Sequence, residues 1–106
     1  MNPRQGEIWL ADLGLAAKMR PVVVVSRDDA DPPRQLFVFV PCSTQNRASA
    51  YEVALPKMRE LSEPSVINVQ GIGALARPRL IKKLGVLSSQ DMERVKTALR
   101  FLFDLD

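Results

Sequence analysis

The chain has 106 residues, 46% hydrophobic and 25% charged. That balance excludes wholesale disorder and suits one domain spanning residues 1–106. Fifteen Lys+Arg against twelve Asp+Glu leave a net charge of +3, which permits a polyanionic partner without requiring one. With a single cysteine and no histidine, an intramolecular disulfide is impossible and a zinc centre lacks its usual ligands.

The opening MNPRQGEIW lacks the apolar stretch of a signal peptide, and no apolar run approaches the ~18 residues of a membrane span. The expectation is a soluble, cytoplasmic protein. GEIWLADL (6–13) alternates as a first strand, with Ile8 and Leu10 on one face and Trp9 on the other. LGLAAKM is a connector leading to Arg20-Pro21, and PVVVVS is a short β-branched strand suited to burial on both faces. The acidic, Pro-paired RDDADPPR cannot continue regular structure and reads as a loop. QLFVFVPC (35–42) is the third strand, paired as a hairpin with the second, and YEVAL (51–55) is the fourth.

PKMRELSEPS accommodates one helical turn before Pro64 ends it, and SVINVQ (65–70) is a fifth strand. GIGALARPRLIKKLGVL resumes in extended form, its two glycines marking a bulge or a close backbone approach. Only afterwards does the period change: Met92, Val95, Leu99 and Leu102 form one helical stripe. Ser88 stands three residues before Asp91 in a capping-box arrangement, so the helix begins near Ser89. Short strands followed by one terminal helix predict a mainly β, α+β fold, a small antiparallel SH3-like barrel.

Two clusters carry candidate chemistry. Arg20, at the mouth of an apolar strand, is either a solvated strand cap or an anion clamp whose planar fork matches a phosphate. Ser43-Thr44-Gln45-Asn46-Arg47 is either a self-bonded turn or a binding loop. If the second and third strands form a hairpin, Arg20 and Ser43 face one another across one sheet end, a guanidinium beside a hydroxyl. Gln70-Gly71-Ile72-Gly73 is a weak phosphate signal, because no helix follows it directly. Cys42 reads as a small buried hydrophobe, and Lys82-Lys83 as a solvated face without a special role.

Together these segments resemble the MazF/PemK family of toxin–antitoxin endoribonucleases, with which CcdB-type toxins share a fold. GEIWLADL, RPVVVVS, VPCSTQNR, SVINVQGIGALARPRLIKKLGVLS and DMERVKTALRFLFDL follow the family's order along nearly the whole chain. The resemblance implies a homodimeric SH3-like barrel that cleaves single-stranded RNA without metal or cofactor, by attack of a ribose 2′-hydroxyl on the adjacent phosphate. It implies a cognate antitoxin whose acidic tail occupies the RNA groove, and a toxin–antitoxin complex that binds DNA. The family's catalytic Arg, directly before the second strand's Pro, falls on Arg20. Its Thr or Ser partner falls on Ser43, with Thr44 one residue away.

Arginine, with a pKa above ~12, is a poor base, so Arg20 is assigned to stabilising phosphate charge and Ser43/Thr44 to hydrogen bonding in the transition state. The general base is not visible in the sequence. Gln45, Asn46 and Arg47 are placed to read bases or hold the backbone, and Lys18 and Gln70 complete the expected RNA-binding set. The first loop is shorter than the family's, Gln70-Gly71-Ile72-Gly73 lacks the family's acid and Arg, and Ser43 stands where Thr is common. Two other readings follow: a slow or inactive relative that binds RNA or antitoxin, and a gyrase-targeting CcdB-like toxin acting through residues 100–106.

Overall fold

The computed structural model describes residues 2–14, 18–61 and 63–105. Seven strands precede one helix: β1 (Glu7–Asp12), β2 (Met19–Val24), β3 (Leu36–Ser43), β4 (Glu52–Ala54), β5 (Val66–Asn68), β6 (Gly73–Ala76), β7 (Leu80–Val86) and α1 (Ser89–Leu102). Every strand pairing is antiparallel, in the order β4-β5-β3-β2-β1-β7. β6 pairs with the first half of β3 while β5 pairs with its last residues, so β3 belongs to two sheets at once. This is the mainly β, barrel-like fold with a terminal helix that the sequence implies. The connector LGLAAKM falls partly on residues 15–17, outside the described residues.

Strand alternation sorts the apolar residues into two cores. Ile8, Val23, Val40 and Ile67 face α1 and pack with its Met92, Val95 and Ala98. Trp9, Ala11, Val22, Val24, Phe39 and Leu80 pack on the opposite face. Successive valines of β2 therefore enter different cores, which explains why this strand is unbroken in hydrophobicity. Burying each such side chain contributes about 1.5–3 kcal/mol. The helix starts at Ser89, where the Ser88 hydroxyl accepts the Asp91 amide (3.1 Å). Leu99 and Leu102 of the expected stripe are only partly buried, and Ala98 takes a place in the core. Among the described residues no helix is long and apolar enough to cross a membrane.

Three local readings are corrected. PKMRELSEPS holds a single turn, Leu61 N–H to the Met58 carbonyl (3.1 Å), and no described residue in it is helical. The fifth strand stops at Asn68, whose side chain accepts the Gln70 amide and turns the backbone into a 3-10 turn at Val69–Gly71. Lys83 is not merely solvated. Its Nζ lies 3.0 Å from Oε2 of the buried Glu7, which also accepts the Arg4 amide (2.9 Å) and the Trp9 indole N–H (3.0 Å) on Oε1. Burial pushes the Glu7 pKa up, but the Trp9, Arg4 and Lys83 donors outweigh it and leave the carboxyl below its ordinary value.

The two glycines after β5 mark close approaches. A Cβ on Gly71 would lie 2.6 Å from Cγ of Pro41, and one on Gly73 would lie 3.0 Å from the Phe39 ring. Pro41 is a rigid ring held in β3, so Gly71→Ala is expected to lose about 1–3 kcal/mol of stability. Urea unfolding checks this; an unchanged midpoint would mean that the 3-10 turn moves aside freely.

Candidate active site

The β2–β3 hairpin sets the geometry. Val22 opposes Pro41, Val23 opposes Val40, and Val24 opposes Phe39. That pairing ends at Val22 and Pro41, two residues short of Arg20 on β2 and of Ser43 on β3. On its other edge β2 pairs with β1, Pro21 opposite Leu10 and Arg20 opposite Ala11. Beyond β3, Val66 of β5 opposes Ser43. β1, β2, β3 and β5 are thus neighbours around these residues.

An open cavity of about 670 Å³ lies at this site. Arg20, Pro21, Cys42, Ser43, Thr44 and Gln45 line it from β2, β3 and the loop after β3, and Leu10 and Leu84 from β1 and β7. Glu60, Leu61, Glu63 and Ser65, from the β4–β5 connection, complete the lining. Arg20 is exposed, and among the described residues its guanidinium makes no hydrogen bond or ion pair. The Ser43 Oγ accepts the Gln45 amide (3.1 Å), which fixes the oxygen and leaves its own O–H free to donate. Burial pushes the Cys42 thiol up to about 12, so this cysteine is a protonated core group at neutral pH rather than a nucleophile.

The other expected RNA contacts divide. Gln45 lines the cavity, whereas Lys18, Asn46, Arg47 and Gln70 are exposed outside it. Within the loop, Asn46 Oδ1 accepts the Ala48 amide (2.7 Å) and Arg47 Nη2 donates to Gln45 Oε1 (3.1 Å). Arg47 therefore positions a cavity residue. Glu52 closes the loop by accepting the Arg47 amide on Oε2 and the Ser49 amide and hydroxyl on Oε1, at 3.1, 3.0 and 2.7 Å. Lys18 has a left-handed backbone (φ 52°) and closes the β1–β2 turn through its carbonyl to the Leu13 amide. Gln70 sits on the exposed 3-10 turn.

Reading the sequence missed the part of the lining that the β4–β5 connection supplies. Its signal was available: a strand that returns to pair with Ser43 must be preceded by residues passing over the same sheet end. Glu60 and Glu63 lie three apart between Pro56 and Pro64 in that passage.

Residues 4–103 match the family model of the PemK-like, MazF-like toxin of type II toxin–antitoxin systems. The chain is 33% identical over 103 residues to the probable endoribonuclease MazF5 of Mycobacterium tuberculosis, covering 96% of this chain and 94% of that protein. It superposes with a TM-score of 0.85 on a mycobacterial endoribonuclease solved in complex with its cognate antitoxin, at 25% identity over 98% of this chain and 97% of that one. The Mycobacterium tuberculosis toxin MazF-mt6 superposes with a TM-score of 0.83 at 27% identity, over 94% and 98% of the two chains.

The loop beside Ser43 carries a pH signature. The Ser49 hydroxyl first, then the Arg47 and Ser49 amides, hold the Glu52 carboxyl below its ordinary pKa. Because the folded value is the lower one, this stabilisation is fully present above the unfolded glutamate pKa and is lost as pH falls through the folded one. A carboxyl-detected NMR titration is expected to place Glu52 below an unperturbed glutamate, and Ser49→Ala to raise it. An ordinary Glu52 titration would mean that the carboxylate does not organise the loop.

Proposed function

The chain belongs to the PemK-like, MazF-like toxin family of type II toxin–antitoxin systems, and from that premise we propose that its cavity cuts single-stranded RNA at a phosphate held between Arg20 and the Ser43/Thr44 hydroxyls. The endoribonuclease activity is the family's; the residue roles are inferred from this chain's geometry. The observation that carries them is a guanidinium with no partner among the described residues, in the same cavity as the Ser43 and Thr44 side chains.

Attack of a ribose 2′-hydroxyl concentrates negative charge on the phosphoryl oxygens, and the new O2′–P bond forms as the P–O5′ bond breaks. A guanidinium at this point stabilises the phosphorane, and an oriented hydroxyl adds a second donor. Ser43 is oriented by the Gln45 amide. The flanking Gln45, with Arg47 bonded to its amide oxygen, contacts the unpaired strand beside the scissile linkage. Lys18, Asn46 and Gln70, exposed outside the cavity, contribute outer phosphate or base contacts.

A protein antitoxin is the partner, in line with the mycobacterial relative solved with its own. An acidic antitoxin tail would compete with RNA for Arg20. Phe101, Phe103 and Leu105 are more than half exposed at the end of the chain, an apolar patch that supports a homodimer. An mRNA substrate places the protein in the cytoplasm.

With EDTA present, the purified chain is expected to cleave unpaired RNA to a 2′,3′-cyclic phosphate and a 5′-hydroxyl. Arg20→Ala is expected to lower the rate by at least about 10²–10³ while the circular dichroism is unchanged. Full activity in that variant removes this site. Growth arrest that survives Arg20→Ala but is lost on truncating residues 100–106 assigns the toxicity to protein contact instead, and tight RNA binding without turnover assigns it to binding alone. Sedimentation at micromolar concentration is expected to give a dimer that Phe103→Glu with Leu105→Glu weakens; a monomeric wild-type chain contradicts the dimer.

A further inference from the structure

The proposed reaction needs a group to take the proton from the attacking 2′-hydroxyl, and a guanidinium is unsuited to that role. We propose that Glu63 is this general base, an assignment that rests on the reading of the cavity given above. Two carboxylates, Glu60 and Glu63, line the same cavity as Arg20, and their places along it differ.

The cavity takes lining residues from β3, β2, β1 and β7, which lie in that order in the sheet, with Ser43 on the first and Leu84 on the last. Glu63 belongs to the β3 end. It is followed by Pro64 and Ser65, and Ser65 leads directly into Val66, the residue opposite Ser43. The Ser65 hydroxyl donates to the Glu63 carbonyl (3.1 Å) and ties this short approach together. Glu60 belongs to the far end, where its Cδ lies within 3.5 Å of the space above Gly85 in β7. Buried Leu61 anchors the segment in the helix-side core, so the cavity wall is held in place rather than draped over it. A phosphate held between Arg20 of β2 and Ser43 of β3 would sit at the end of the sheet that the Glu63 segment approaches, remote in strand order from Gly85, beside which Glu60 lies.

The Glu63 carboxylate is exposed and, among the described residues, has no hydrogen-bond or ion-pair partner to occupy its lone pairs. The titratable groups sharing the cavity with it are Arg20 from β2, Cys42 from β3 and Glu60 from its own segment. Arginines keep their charge across the working range, and burial holds Cys42 protonated. Only Glu60 can imitate Glu63 in a pH profile. In the step itself the 2′-hydroxyl proton passes to Glu63, O2′ bonds to phosphorus, the P–O5′ bond breaks, and the departing oxygen takes a proton from solvent. Glu63 then returns its proton to solvent, and no oxidant, reductant or metal is consumed.

Single-turnover cleavage of a short unpaired RNA by saturating full-length enzyme tests the assignment across pH. Glu63→Gln is expected to slow cleavage about 10²–10⁴-fold at neutral pH and to erase the acidic limb of the rate profile. Binding of the same RNA with a 2′-deoxyribose at the cleavage site should be retained or tightened, since a negative charge beside the phosphate has been removed. Glu63→Asp should keep the limb at reduced rate. Cleavage by Glu63→Gln within a few-fold of wild type, or loss of the limb in Glu60→Gln instead, overturns the proposal. If Arg20→Ala is inactive while Glu63→Gln cuts normally, only the base assignment fails. If both cut normally, the reading of the cavity fails with it.

Discussion

The antiparallel register of β2 on β3 is the constraint from which the rest of the site follows. Val22 opposite Pro41 puts Arg20 of β2 and Ser43 of β3 at the same end of the hairpin, each two residues past the last paired position, and both line one cavity. A slip of one residue would turn the valines of β2 to the wrong cores. Packing on both faces holds this register: Val23 and Val40 in one core, Val22 and Val24 in the other, each fully or almost fully buried.

Electrostatics separate the cavity arginine from several others. Arg4 pairs with Asp28, Arg79 with Asp12, and Arg94 with Asp91. Arg77 donates to the Leu80 carbonyl and lies over the Trp9 ring (4.9 Å). Arg47 holds Gln45. Each of those cations has its interactions supplied by the fold, so each is worth more to local order than to binding. Arg20 has no such partner among the described residues and shares its cavity with two carboxylates, Glu60 and Glu63. Under the proposed roles, a guanidinium that stabilises charge and a carboxylate that accepts a proton must stay apart, because a contact ion pair would disable both.

Much of this was legible in the residues. Alternation in GEIWLADL separates Ile8 from Trp9, the β-branched run marks β2, and Ser88 with Asp91 marks the helix start, because each signal is local. Gly71 and Gly73 announce close approach, and the structure identifies Pro41 and Phe39 as the groups approached. What stayed hidden depends on tertiary pairing. Lys83 reads as a solvated lysine until β7 lies beside β1 and presents it to Glu7. Arg47 and Asn46 read as ligand contacts until their hydrogen bonds within the loop are seen. Glu60 and Glu63 read as linker acids because nothing local reveals that β5 returns to β3.

A crystal structure with an RNA made uncleavable by 2′-O-methylation at the scissile position tests the central claim most directly. The account predicts that the scissile phosphate lies at the β2–β3 boundary, its non-bridging oxygens within about 3.2 Å of the Arg20 guanidinium and of the Ser43 or Thr44 hydroxyl. An RNA strand bound along the outer loop at Asn46 and Arg47, with its phosphates remote from Arg20, would contradict it.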